Sequence, residues 1–406
     1  MVSAASASQP STGQPRIFTK PFFLNAFVNL LLYINYYVLM VVMAGYCLVT
    51  YNASAATAGF AASIFIVGAL FARFLGGALI DQFGRKHALI LGTFCMTVCS
   101  FAYFLPIELE ALLILRVVHG LFYGIAQTAI SSIATETIPN ERKGEGVGYF
   151  MLSATLGSAV GPFLGTSISE YLNYDVLFGL YASAMAIGFI CSFFVKDPHH
   201  EYKKHQKSLQ SPSTHARFSL RSFLEFRALP ISLCVCVALL AYGSVMTYLD
   251  SFAAEHNMMQ AASIFFVVYS IVMFIARPFT GKIFDRKGDF GVMVAGFLSF
   301  AAGMICIGFA QNGVLLLIAA CFLGFGVGTI NPCGLTLAVK RSPAYRLTAA
   351  NSTFSCFNDA TIGLAPVLFG WTIPLVGYNG LFLLLTGVVL VALLMYVVFR
   401  FRGMIA

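Results

Sequence analysis

The segment RFLGGALIDQFGRK, Arg73 to Lys86, sets an Arg, an Asp and an Arg-Lys pair behind a stretch, Ala55 to Ala72, that holds no charge at all. A second segment, RPFTGKIFDRKG, Arg277 to Gly288, repeats the pattern 204 positions later, counting from 73 to 277. The same interval relates Gly77 to Gly281, Asp81 to Asp285, Gly84 to Gly288, Gly120 and Gly124 to Gly324 and Gly328, Pro139 to Pro343, Arg142 to Arg346, and Pro162 to Pro366. One register held over so long a stretch argues for an internal duplication. The chain therefore reads as two copies of one unit.

Composition says what surrounds that unit. The 406 residues are 59% hydrophobic and 10% charged, with a mean hydropathy of +0.84, whereas charged residues alone make up about 25% of soluble domains. Apolar segments of spanning length, ~20 residues each, fall at 22–50, 56–80, 88–106, 109–134, 144–168 and 174–195, then at 229–252, 259–281, 289–310, 314–338, 347–370 and 378–399. The expected fold is all-α, with twelve membrane helices in two six-helix pseudo-repeats. The expected divisions are a tail over 1–21, a first half over 22–195, a linker over 196–228, a second half over 229–400 and a tail over 401–406. Residues 1–20 lack a short apolar core with a cleavage site, so no signal peptide is expected.

Net charge is +8, but the placement of the basic residues explains it better than nucleic acid does. With the amino terminus taken as cytoplasmic, 21 of the 24 Lys and Arg residues fall in cytoplasmic loops and tails, and none in outer ones. Such a bias predicts both termini inside a cell membrane. Arg73, Arg116 and Arg277 are left within helices. The ten cysteines lie in proposed spans without metal-ligand spacing and read as free thiols packed as small hydrophobes.

Here the residues meet a known family. GALIDQFGRK, Gly77 to Lys86, resembles the loop signature between helices two and three of the major facilitator superfamily. RVVHG, Arg116 to Gly120, resembles its fourth-helix motif, and GSAVGPFLG, Gly157 to Gly165, resembles the fifth-helix motif of its proton-coupled antiporter branch. The resemblance runs from about residue 20 to 400. It implies six plus six helices with the cargo site between the halves near the midplane.

A carboxylate at Asp81, where helix two meets the cytoplasm, suits the positive amino end of a neighbouring helix. The resemblance implies that Asp81 braces the start of helix eleven near Thr348 and that Arg85 pairs with Glu136. With Arg73, Gly77, Gly84, Lys86, Gly281 and Asp285, these residues would form a cytoplasmic gate that breaks for inward opening. An ordinary topological anchor is the competing reading. The second copy departs from the first in having Asp289 and Phe290 where Arg85 and Lys86 stand, so a weaker or different pairing is expected there.

Arg116 must face the bundle interior or water. His119, Gly120, Tyr123 and Gln127 share its helical face, which is expected to line a cavity. The resemblance links this Arg to proton coupling, and a structural role is the alternative. Gly157, Gly161, Pro162 and Gly165 serve either close packing with a kink or the antiporter motif. Gly165 is followed by Thr166 in place of the usual second glycine. Further cavity candidates are Asn25, Asn29, Tyr33 and Tyr36 on helix one, Tyr242 and Met246 on helix seven, Asn331 on helix ten, and Asn351, Ser355 and Asn358 on helix eleven. Each Asn reads equally as cargo contact or interhelical glue.

Asp359, near the middle of helix eleven, is the acid expected at membrane depth, and desolvation there favours proton exchange. It would carry the coupling proton, meet a cationic cargo group, or serve as fixed partner to another polar side chain. Asp250 is a second candidate. Helix one lacks an acid that several multidrug exporters carry.

The leading expectation is a secondary transporter exporting a small organic molecule, drug-like or a metabolite such as a metal chelator, in exchange for protons. A symporter importing a sugar, organic acid or osmolyte is the alternative. A receptor would bring a soluble output domain that the sequence does not show. No Walker loop, metal-spaced His pair or Ser-His-Asp set marks an enzyme. No cofactor, metal or nucleic acid is expected, only cargo, protons and lipid around a monomer.

Overall fold

In the computed structural model, residues 16–53, 55–105, 108–171, 173–198, 224–370 and 372–405 are described. They form twelve long helices: α1 Lys20–Tyr51, α2 Ala55–Phe83, α3 Arg85–Ala102, α4 Leu109–Thr137, α5 Lys143–Tyr171 and α6 Tyr174–Phe194, then α7 Leu229–Glu255, α8 Met259–Lys287, α9 Asp289–Gly308, α10 Gly313–Arg341, α11 Leu347–Gly370 and α12 Ile373–Phe401. Single 3-10 turns precede α5 and α11, at Asn140–Arg142 and Ala344–Arg346. Helices of 29 residues, such as α4 and α8, rise ~44 Å, enough to cross the hydrocarbon and reach both headgroup zones. Most of the 196–228 linker lies outside the described residues.

Local sequence sets the ends. Thr19, Asn173 and Asn312 accept from the amides of Phe22, Val176 and Leu315 at 3.3, 3.0 and 2.9 Å, closing the first turns of α1, α6 and α10. Gly84 alone joins α2 to α3 and Gly288 alone joins α8 to α9, at φ +96° and +85°, a region that costs any residue with a Cβ. The duplicated glycine is thus the residue that reverses the chain in each copy.

Both sets of six use the same neighbours. α2 packs on α4 as α8 packs on α10, α1 on α5 as α7 on α11, and α3 on α6 as α9 on α12. Glycines make the first contact possible: a Cβ on Gly120 would stand 2.0 Å from the Phe65 carbonyl, and one on Gly68 2.0 Å from that of Val117. Between the sets, α2 meets α11 and α5 meets α8. Among the described residues, eight helices are long and apolar enough to cross a membrane by composition alone. α2, α3, α5 and α11 fall short of that test, and α2, α5 and α11 each pack against the opposite set. Phe71 on α2 and Phe279 on α8 are among the exposed apolar side chains on the outer surface, which suits a hydrocarbon solvent.

Candidate functional site

Between the two sets lies a cavity of about 160 Å³. Its walls carry Tyr33, Tyr36 and Tyr37 from α1, Tyr123 and Gln127 from α4, and Tyr242 and Tyr269 from α7 and α8. Tyr36 stacks on Tyr123 at 5.4 Å and Tyr242 on Tyr269 at 5.5 Å, so both halves present stacked aromatic rings. Gly157 and Gly161 of α5 lie against Tyr33 and Tyr37, where a Cβ would come within 2.5 and 2.6 Å of the tyrosine Cβ atoms, and Gly165 sits against Val42. The glycine stripe therefore fixes how closely the α1 tyrosines approach. The Pro162 side chain lies outside the described residues.

Charge enters at the cavity floor. Arg73 of α2 forms an ion pair with Asp359 of α11. It also donates to the Ser355 carbonyl at 3.1 Å and to Gln127 Oε1 at 3.3 Å, and Ser352 returns a bond to the Arg73 carbonyl. Arg73, grouped with the gate in the sequence, thus stands in the cavity, because it lies three turns before the end of α2. Arg277 of α8 occupies the matching place and donates to the Met151 carbonyl and Thr155 Oγ1 of α5. Asn331 accepts from Asn358 Nδ2 at 3.1 Å, and Asn29 donates to Ser153 Oγ at 2.8 Å. Asn29, Asn331, Ser355 and Asn358 all line the cavity.

Other cavity candidates stand elsewhere. Arg116 is 1% exposed and bonds the carbonyls of Ala61 and Ala62 at 3.0 and 2.7 Å, over the Phe65 ring. His119 is held between the Tyr103 and Tyr181 hydroxyls. Tyr181 gives its proton to Asn35, so the network assigns His119 Nε2–H as donor to Tyr181 and Nδ1 as acceptor from Tyr103. The α4 face divides by depth: its first half seals against α2 through Gly120 and Gly124, while Tyr123 and Gln127, with Ser131 a turn further on, reach the cavity. Asn25 is fully buried, its amide has no partner among the described residues, and it does not line the cavity. Met246, one turn from Tyr242, is 47% exposed and also stands outside it. The Asp250 side chain lies outside the described residues.

Below the cavity the halves are sealed. Asn351 belongs here and not to the cavity walls: it accepts from Ser131 Oγ and donates to Thr135 Oγ1, both at 3.1 Å. Arg85 pairs with Glu136 and donates to Thr348 Oγ1 at 2.7 Å, while Lys86 is half-exposed beside it. Gly77 and Asp81 lie in α2, but the surroundings of Gly77 and the Asp81 side chain are outside what is described. In the second copy Asp285 accepts from the Gly144 and Glu145 amides at 2.9 and 2.8 Å, at the positive start of α5, and pairs with Lys340 at 3.1 Å. Gly281 permits this: its Cβ would lie 2.3 Å from the Gly144 carbonyl. Asp289 turns away to Arg400 and Tyr396 at 2.9 and 2.7 Å. All ten cysteines are unbridged.

The sequence profile described as "Major Facilitator Superfamily" matches residues 26–291 and 259–403. The chain belongs to this superfamily of transporters. Multidrug resistance protein MdtG of Escherichia coli O9:H4 is 26% identical over 337 residues, covering 80% of each chain. The multi-drug resistance efflux pump PmrA of Streptococcus pneumoniae is 23% identical over 304 residues, covering 73% of this chain and 75% of its own. An uncharacterized MFS-type transporter of Methanocaldococcus jannaschii is 22% identical over 321 residues, covering 77% and 82%. Among solved structures, a human organic anion transporter superposes with a TM-score of 0.74 at 14% identity, over 94% of this chain and 100% of that one. A fucose:proton symporter in its outward conformation gives 0.72 at 17%, over 95% and 99%. These last two likenesses concern the fold.

As a major facilitator, the protein carries a small-molecule cargo across a membrane through multiple spans. Several lining residues had no signal of their own in the sequence. Tyr37 sits beside the Tyr33 and Tyr36 face, Tyr269 lies in an apolar run, and Thr155 is one of many polar residues on α5. Arg277 was visible as the repeat of Arg73, yet only the packing of α8 on α5 sets it in the cavity.

Proposed function

We propose that this transporter exports a small organic molecule in exchange for protons, with Asp359 as the proton site. The observation that carries the reading is the Arg73–Asp359 ion pair, which ties α2 to α11 at the cavity floor. A proton arriving on Asp359 from the outer side removes the carboxylate charge and loosens the tie. The cytoplasmic ends then part, the proton leaves, and cargo enters. Reclosure with Asp359 ionised restores the pair and turns the loaded cavity outward. This is a two-state rocking element of the kind that serves alternating access.

The seal beneath the pair is assigned as the cytoplasmic gate, with Arg85–Glu136 on one side and Asp285 on the start of α5 on the other. Arg116 and His119 are assigned to bracing the first half. Both termini and the 196–228 linker are placed on the cytoplasmic side of a cell membrane, and the halves at 22–195 and 229–400. The relatives named as multidrug resistance and efflux proteins support the outward direction.

The cavity of about 160 Å³ is smaller than the 300–1,000 Å³ or so that holds drug-sized ligands, so loading requires the halves to part. The test uses liposomes containing the purified protein, an imposed pH gradient and a dye for internal pH, with anionic, neutral and cationic aromatic compounds added in turn. Proton movement opposite to cargo is expected. Proton movement with the cargo would overturn the exchange and make the protein a symporter importing a sugar, organic acid or osmolyte.

A further inference from the structure

The duplication can be followed into the cavity, and there the two copies differ in charge. Arg73 donates to the Ser355 carbonyl, and Arg277 donates to that of Met151, which stands 204 positions before 355. Ser352 contacts the Arg73 carbonyl, and Gly148, 204 before it, packs with its Cβ position 2.6 Å from the Arg277 carbonyl. Arg73 then meets the carboxylate of Asp359, whereas Arg277 meets the hydroxyl of Thr155. Position 155 is the counterpart of 359. The two arginines stand in equivalent places and share the equivalent carbonyl bond, but only one has an acid.

Arg277 is therefore a guanidinium, 5% exposed, without a carboxylate partner among the described residues, and its Nε has no hydrogen-bond partner. A buried charge of this kind is costly unless something pairs with it. Among the described residues the lining holds Arg73 and Arg277 against Asp359 alone, so the cavity carries one net positive charge. A cationic cargo is repelled by that balance, and an anion completes it.

We infer that the cargo is an organic anion whose carboxylate or sulfonate docks on Arg277 beside Thr155, with an aromatic or hydroxylated body against the stacked Tyr242 and Tyr269. A planar guanidinium suits such a group because it offers paired donors in a fixed fork. With the anion bound, both arginines are matched, and the halves close over a neutral site. The assignment rests on the reading of this cavity as the cargo site. It does not depend on the direction of transport or on proton coupling.

The test is equilibrium dialysis of the full chain in lipid nanodiscs at one pH and no gradient, with four probes: 2-naphthoate, 2-naphthalenesulfonate, the neutral 2-naphthamide and the cationic 2-naphthylmethylamine. At least one anion is expected to bind tenfold or more tightly than the amide and the amine. Arg277→Gln should remove that preference. Thr155→Asp, which restores the acid the repeat lacks, should weaken anion binding at least tenfold more than the uncharged Thr155→Asn. Monodisperse elution of each variant shows that it is folded, and the two routes to the same loss guard against either failing to fold. Equal binding of all charges, or an anion preference that survives Thr155→Asp, would overturn the anion assignment alone. Failure of every probe to bind would overturn the cargo site with it.

Discussion

Replacing Asp359 by Asn keeps the shape of the side chain and removes its charge, leaving the Arg73 guanidinium at the cavity floor without a counter-ion. Breaking one side of a buried pair costs about 3–5 kcal/mol. The Arg73 side chain is 4% exposed and that of Asp359 23%, and Arg73 keeps its bonds to Ser355 and Gln127. A cost below that range, about 2–3 kcal/mol, is therefore expected. Because the pair joins the halves, this loss falls on the closed state of the ends it ties and shifts the closed-to-open equilibrium about 30- to 150-fold. Hydrogen–deuterium exchange of the protein in nanodiscs should accelerate at 131–137, 143–151 and 347–355, while the start of α4 stays protected. Adding Arg73→Gln to Asp359→Asn removes the stranded charge, and exchange should return to within about 1 kcal/mol of the parent. Unchanged exchange in the single variant, or no recovery in the double one, refutes the pair as the tie.

Gly281→Ala places a methyl 2.3 Å from the Gly144 carbonyl, an overpacking of about 1–3 kcal/mol, so it should loosen 143–151 with no charge altered; full protection there would remove the close approach from the gate. Arg116→Gln gives up bonds to two α2 carbonyls, each worth about 1.5–3 kcal/mol for a charged donor. A lower melting temperature with cargo binding within threefold of the parent is expected, and lost proton coupling at an unchanged melting temperature would restore it to the transport step. Lys143, the first residue of α5, is driven by burial from its ordinary 10.5 down to about 8, against the attraction of Glu136. The folded chain then sheds this proton before the unfolded chain does, so the group's contribution to stability rises between pH 8 and 10.5. Melting curves against Lys143→Met over that window should show the parent gaining on the variant as pH rises; a constant difference would contradict it.

Hydropathy and the repeat register were enough to define twelve helices in two copies, because membrane spans are written in composition and a duplication keeps its spacing. The same register named Gly84 and Gly288, whose positive φ is a property of one residue. The division of polar residues between cavity, seal and bracing core was legible only in part. Arg116, His119, Tyr123 and Gln127 share a helical face, yet α4 buries the first two against α2 and α6 and presents the others to the cavity, since a helix that crosses its neighbours changes partners every two turns. Asn351 and Ser355 are one turn apart and fall on opposite sides of the cavity floor for the same reason.

The chain's sequence by itself determined that it is a membrane protein of twelve helices, doubled, with arginines at 73 and 277 in matching places. Only the tertiary structure decided that one arginine meets Asp359 and the other Thr155, because each contact joins a helix of one half to a helix of the other. Residues 73 and 359 acquire a relation only when α2 and α11 pack together, and the electrostatics of the cavity follow from that packing.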